Sequence, residues 1–294
     1  MTTTEFLWVE KYRPHKVSDC ILPERISKVF QGYVDSQSIP NLMLTGTAGV
    51  GKTTVALAMC DEIGVNNLFI NSSDERGIDT LRTKIKGYAS TISLTGGRKV
   101  IILDEADYLT PEAQAGLRGA IEEFSSNCTF IFTCNFKSRL IDALHSRCSV
   151  IDFSLNKDEK PEMAALFLKR IEQILTQEKI TYDRPAVVKI IQKFFPDYRR
   201  TLNELQRYSN SGSIDAGIVS QVSDIRKISD LVKNLKEKNF AEMRKWVVVN
   251  SDIEPARVYR KIYDSLYEYL KPKDRKSTRL NSSHPSRSRM PSSA

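Results

Sequence analysis

The sequence predicts a doubly wound α/β domain on a five-stranded parallel sheet, followed by a small helical domain, and three observations carry that reading. Near-continuous apolar runs at residues 42–44, 68–71, 100–103, 129–133 and 149–153 alternate with helix-patterned stretches, as strands covered on both faces must. Between the first run and the first helix lies Gly46-Thr47-Ala48-Gly49-Val50-Gly51-Lys52-Thr53, a strand, glycine-rich loop and helix in succession. From Lys157 onward no strand pattern recurs and helical spacing takes over.

In chain order, Leu7-Trp8-Val9-Glu10-Lys11-Tyr12-Arg13-Pro14 mixes aromatic, apolar and basic residues ahead of the first strand, and Pro14 stops any helix there. An ordered arm is expected, which either lines a base-binding crevice or caps the core. The glycine loop follows. Its backbone N–H groups turn inward around an anion, Lys52 adds a point charge for β- and γ-phosphates, and the Thr53 hydroxyl is placed to ligate Mg²⁺. Thr54 opens the helix that leaves the loop and runs to Asp61.

After the strand at 68–71 and a helix over 79–90, the strand 100–103 ends in Asp104-Glu105, two carboxylates at the carboxyl edge of a parallel sheet. Asp104 is suited to hold Mg²⁺ through water, and Glu105 to orient and deprotonate a water attacking the γ-phosphate. Asn135 ends the fourth strand, where its amide serves either that water or a turn. Arg147, in Ser146-Arg147-Cys148 before the fifth strand, either reaches a neighbouring subunit's γ-phosphate or forms a surface salt bridge. Arg199 and Arg200 begin a helix of the second domain, and either one spans back to the nucleotide or both are solvated.

Helices over 164–175, 185–195 and 201–209 make the second domain, so the expected bounds are 1–154 for the α/β part and 155–222 for the helical part, linked at Leu155-Asn156. Residues 223–272 continue helical, with apolar positions such as Ile228, Leu231, Leu235, Tyr259 and Ile262, and read as an oligomerisation element. Residues 273–294 are Ser-, Arg- and Pro-rich and are expected to be disordered. Within them, residues 276–284 resemble translated sequencing-adapter sequence in place of a natural C-terminus, the alternative being a basic nucleic-acid tail.

Composition narrows the classes. With 294 residues and 40% hydrophobic content there is ample core for more than one domain at roughly 150 residues each. No apolar run reaches the roughly 20 residues that span a bilayer, and Met1 to Glu10 lacks the layout of a secretion signal. A cytoplasmic protein without a membrane partner is expected. Five cysteines without Cys-x-x-Cys spacing read as reduced, mostly buried thiols. The net charge of +8 owes most to residues 273–294, so any nucleic-acid argument has to rest on placed residues.

Taken together, these residues resemble the clamp-loader branch of the AAA+ ATPases, over roughly Leu7 to Leu270. Trp8 to Pro14 resembles the segment that wraps adenine in replication factor C subunits, and Ser72-Ser73-Asp74-Glu75-Arg76-Gly77-Ile78-Asp79 resembles their stretch before a DNA-facing helix. Ser146-Arg147-Cys148 matches the family's finger. Asp19-Cys20-Ile21-Leu22-Pro23 and the run from Phe195 to Leu205 are similar to the T-even-type bacteriophage branch.

The resemblance implies an AAA+ fold with a helical lid and the beginning of a helical collar, and DNA-dependent ATP hydrolysis with ATP and Mg²⁺. It assigns Val9, Tyr12, Arg13 and Pro14 to the base, Asn135 and Arg199 to the two sensors, and Arg147 to a finger acting in trans. It places Arg76, Arg82, Lys84, Lys86, Gln114 and Arg118 on primer-template DNA, contacting a backbone that carries no sequence code. The implied partners are a sliding clamp and other loader subunits, in a ring of like ATPase subunits with a small accessory subunit, in the host cytoplasm if phage-encoded. Two rivals differ in class. Asp104-Glu105-Ala106-Asp107 spells the tetrad of an RNA helicase, but no second phosphate-handling α/β domain follows. A catalytically weak scaffold subunit is disfavoured because Lys52, the Asp-Glu pair and Arg147 are all present.

Overall fold

Period-two alternation inside each apolar run builds two cores from one sheet. In the computed structural model, which describes residues 6–91, 98–210, 212–214, 231, 234–235, 237–249 and 259, five strands run parallel: β1 Leu42–Thr45, β2 Asn67–Asn71, β3 Lys99–Asp104, β4 Cys128–Cys134 and β5 Ser149–Asp152. Met43, Ile101, Leu103, Phe130 and Phe132 face one side, where Leu81 and Ile85 of α4 (Ile78–Ala89) and Leu117 and Ile121 of α5 (Pro111–Glu123) cover them. Leu42, Leu44, Val100, Ile102 and Ile131 face the other, against Phe30 of α2 (Glu24–Asp35) and Val55 and Met59 of α3 (Lys52–Ile63). Each such side chain, fully buried, contributes about 1.5–3 kcal/mol.

The strand order is β2-β3-β4-β1-β5, so β1 stands between β4 and β5 and the chain reverses direction across the sheet beside it. Crevices at the carboxyl ends of strands beside such a switch point are where open α/β sheets take ligands. The glycine loop leaves β1 at that place. The arm contains α1 (Trp8–Lys11), which ends short of Pro14.

The link after β5 is clasped by Arg25 of α2. Its Nη1 and Nη2 donate to the carbonyls of Asp152 (3.0 Å) and Ser154 (2.7 Å), and its Nε pairs with Glu159 at 2.8 Å. A short α6 (Asp142–His145) precedes β5; beyond the link, α7 (Glu159–Gln177), α8 (Arg184–Phe194) and α9 (Tyr198–Ser209) bury Met163, Phe167, Ile171, Val187, Ile190 and Leu205. One expectation fails here. A two-stranded parallel sheet, β6 Thr181–Tyr182 with β7 Ser213–Ile214, joins the helical part, because two-residue strands are too short to leave a periodic pattern.

The chain divides into two compact units, Met1–Val219, which holds both the α/β and helical parts, and Ser220–Ala294. In the second, a helix spans Phe240–Val249 with Trp246 buried and Phe240, Val247 and Val248 exposed. Most of the expected collar, residues 223–272, and all of residues 273–294 lie outside the described residues. No described helix is long and apolar enough to cross a membrane. Cys60, Cys128 and Cys134 are buried free thiols, and Cys20 and Cys148 are half-buried.

Candidate active site

The loop between β1 and α3 can close around an anion only because glycine sits where it does. Gly49 and Gly51 adopt φ of 76° and 94°, the left-handed region that disfavours side chains, and a Cβ at Gly49 would collide with Asp197 Oδ1. Lys52, the first residue of α3, is 7% exposed. Its Nζ donates to the carbonyls of Gly46 (2.7 Å) and Thr47 (2.8 Å) and to Asn135 Oδ1 (3.0 Å). Burial lowers its pKa; the nearby carboxylates of Asp104 and Asp107 oppose that and the Arg199 guanidinium adds to it. Val50 has its side chain 6% exposed in the core beside α3. A ligand in the loop would meet Val50 through its backbone N–H, the group through which the loop is expected to hold an anion.

At the next residue of α3, Thr53 Oγ1 donates to Asp104 Oδ1 at 2.5 Å, and the same oxygen accepts Thr133 Oγ1 at 2.6 Å. Asp104 thereby joins the loop helix to the end of β3, and Thr133, on β4 between β1 and β3, fastens that acidic end. Its hydroxyl also accepts the Glu105 backbone N–H at 3.0 Å. Glu105 itself has φ 53°, a conformation that costs a non-glycine residue roughly 1 kcal/mol or more and gathers at functional sites. Asn135 is held from behind, its backbone N–H donating to Asp107 Oδ1 at 3.3 Å, while its side-chain oxygen serves Lys52 and no turn.

A cleft opens above these groups. Ala48, Gly49, Gly51, Lys52, Thr53, Thr54, Asp104, Glu105 and Asn135 form its floor; Val9, Tyr12, Arg13 and Pro14 of the arm form one wall with Ile21 and Leu22. The helical part supplies another wall with Phe167, Arg170 and Ile174 of α7 and Tyr198, Arg199 and Leu202 of α9. Phe167 and Tyr198 meet with ring centroids 4.6 Å apart, and burial pushes the Tyr198 hydroxyl up to about 12. The α9 end rests directly on the loop, the Tyr198 N–H donating to the Gly49 carbonyl at 3.0 Å. Burial also pushes the Cys20 thiol up to about 12 and Cys134 to about 11, so neither cleft cysteine is a thiolate at neutral pH.

Sequence reasoning missed Thr133 and the whole α7–α9 wall apart from Arg199. A polar residue at the end of an otherwise apolar strand was the available signal for Thr133. Gly46 and Thr47 act through their carbonyls on Lys52 and do not line the cleft. Arg147 lies away from it: its Nε and Nη2 pair with Glu122 of α5 at 2.9 and 2.5 Å.

Of the residues assigned to DNA, Arg82, Lys86 and Arg118 are exposed on α4 and α5, which pack so closely that a Cβ at Gly116 would strike Ile78. Arg76 lies over the Tyr108 ring at 5.5 Å, and Lys84 pairs with Glu75 at 2.7 Å. Gln114 is a correction. It is 3% exposed; its Nε2 donates to the carbonyls of Leu109 and Arg139, both at 3.1 Å, and its Oε1 accepts the Ile141 N–H at 2.9 Å. With both ends of the amide engaged inside the fold, no polar group remains to meet DNA.

Comparison with known proteins agrees with this geometry. Residues 42–155 match the model of the ATPase family associated with various cellular activities (AAA), and residues 159–220 match that of the sliding-clamp-loader large subunit, AAA+ ATPase lid domain. The sliding-clamp-loader large subunit of Escherichia phage RB69 is 37% identical over 249 residues, covering 83% of this chain and 78% of that protein. The replication factor C small subunit of Methanothermobacter thermautotrophicus is 35% identical over 271 residues, covering 88% and 83%. A solved structure of Thermotoga maritima RuvB, a Holliday junction branch migration motor, shares the fold at TM-score 0.55 and 17% identity, over 77% of this chain and 80% of that one. A glycine loop, an Asp-Glu strand end and a lid matched by its own family model therefore lead to one statement of kinship: the chain is a AAA+ ATPase and belongs to the sliding-clamp-loader family.

Proposed function

We propose that this chain binds ATP with Mg²⁺ in the cleft and hydrolyses it as a subunit of a loader that opens a sliding clamp and places it on primer-template DNA. The observation that carries the reading is that two hydrogen-bonded sets, Lys52 with Asn135 and Thr53 with Asp104 and Thr133, line one cleft together with Arg199. Two cations facing one cleft repel each other, and a triphosphate between them relieves that repulsion.

The donor set fits Mg²⁺, since the Thr53 hydroxyl and the Asp104 carboxylate are hard oxygen ligands already converging on one point. Mg²⁺, when bound, neutralises charge developing on the phosphate oxygens. The other roles belong to the chain's own residues. Lys52 exchanges its carbonyl partners for phosphate oxygens, Glu105 takes the proton of the attacking water, Asn135 orients that water, and Arg199 draws the lid down on the γ-phosphate. Arg147, remote from its own cleft, completes a neighbour's in a ring of loader subunits. A small accessory subunit completes that assembly, which works in the host cytoplasm.

Loading itself is the test. With its partner subunits, ATP, labelled clamp and nicked circular primed DNA, the chain is expected to leave clamp co-migrating with DNA only when ATP is present. Clamp retention that is absent, or equal without ATP, contradicts the reading.

A further inference from the structure

The arm that walls one end of the cleft is held by two polar side chains of the helical part that do not themselves line the cleft. Gln206 of α9, 9% exposed, accepts the Trp8 backbone N–H at 3.0 Å and donates to the Phe6 carbonyl at 2.7 Å. Glu178, just past α7, accepts both the Tyr12 hydroxyl (2.5 Å) and the Lys11 ammonium (2.6 Å) on one oxygen. Hydrogen bonds from Lys11 and then Tyr12 hold its carboxyl below the ordinary range. Arg170 of α7 reaches the Tyr12 carbonyl at 3.5 Å.

At its other end the arm is pinned to α3, where Val17 N–H donates to Glu62 at 2.7 Å and His15 meets Asp61 at 3.0 Å. The arm therefore spans from the helix of the phosphate loop to α7 and α9 of the lid. Its own helix is four residues long, far below the roughly 12–15 residues at which an isolated helix persists in water. Without these fasteners Val9 and Tyr12 would have to be ordered by each incoming ligand, at a cost in affinity.

We propose that Glu178 and Gln206 are positioning residues for the nucleobase: they fasten Tyr12 and the arm to α7 and α9, so that a base filling the cleft also fixes the lid that carries Arg199. This rests on the reading of the cleft as an ATP site. Tyr12 becomes the joint between base and lid, its ring lining the cleft while its hydroxyl and carbonyl are held by α7 and the residue after it. Gln206 reads the arm by its backbone, one N–H and one C=O, and so holds its path whatever side chains it carries.

Calorimetric titration of ATP and of inorganic tripolyphosphate, each with Mg²⁺, into the full chain separates the two ends of the cleft, because tripolyphosphate has no base. Glu178→Ala and Gln206→Ala are each expected to weaken ATP binding about 10-fold and to leave tripolyphosphate binding unchanged. Glu178→Gln, which keeps an acceptor for Tyr12 and Lys11, recovers most of the loss. Tyr12→Phe deletes only the hydroxyl and reproduces the loss of Glu178→Ala without altering the lid, so the test survives a folding defect in either lid variant. ATP and tripolyphosphate weakening together, or ATP binding unchanged throughout, overturns the positioning role while the ATP site stands. A wild-type chain that binds no ATP overturns both.

Discussion

Gln114 shows what a single buried amide is asked to do. The peptide groups it serves belong to Leu109 before α5 and to Arg139 and Ile141 after Asn135, so it ties the acidic strand end to the segment that follows the second polar strand end. Removing one partner of a buried hydrogen bond leaves the other unsatisfied, which costs about 1–3 kcal/mol. Gln114→Ala is expected to lower stability by about 2 kcal/mol, read as a lower midpoint in chemical denaturation at unchanged slope. An unchanged midpoint would mean that the amide's bonds are replaced by water. The sequence held the clue, since positions 114, 117 and 121 share the buried stripe of α5, yet a glutamine beside Arg118 reads first as a surface residue.

Among the elements, the strands and the glycine loop were the most legible, because burial on both faces and a phosphate loop each impose composition directly on consecutive residues. The Asp-Glu pair was legible for the same reason. The α7–α9 wall was not. Phe167, Ile174, Tyr198 and Leu202 look like any apolar stripe of an amphipathic helix, and whether a stripe faces a core or a cleft depends on packing between elements distant in sequence. The pairing of β6 with β7 was illegible because two residues carry no period. Helices α4 and α5 pack on each other and present Arg82, Lys86 and Arg118 outward. If these contact a DNA backbone, Arg82→Ala and Lys86→Ala each lower the slope of log affinity against log salt by about one, with equal losses on unrelated sequences. Losses that depend on sequence, or an unchanged slope, would remove α4 from the DNA surface.

At the scale of the whole molecule, the cleft draws on the arm, the sheet and the lid of one compact unit, and Arg147 of the same unit is not among the residues that line it. Arg147 occupies a surface pair with Glu122 whose side chains are 30% and 60% exposed, a pair contributing about 0–1 kcal/mol. Arg147→Ala is accordingly expected to leave the melting temperature of the isolated chain nearly unchanged. Doped into assembled loaders, it should silence neighbouring wild-type sites by on the order of 10³-fold; activity falling only in proportion to the mutant fraction would assign Arg147 to the salt bridge alone. The most direct test of the account is steady-state ATP turnover by wild type and Glu105→Gln, alongside the ATP dissociation constant of each, with and without primed DNA and clamp. Equal ATP affinity is expected, with wild-type turnover that rises with DNA and clamp and a Glu105→Gln rate lower by about 10²–10⁴-fold. A Glu105→Gln protein that keeps most of its turnover would contradict it.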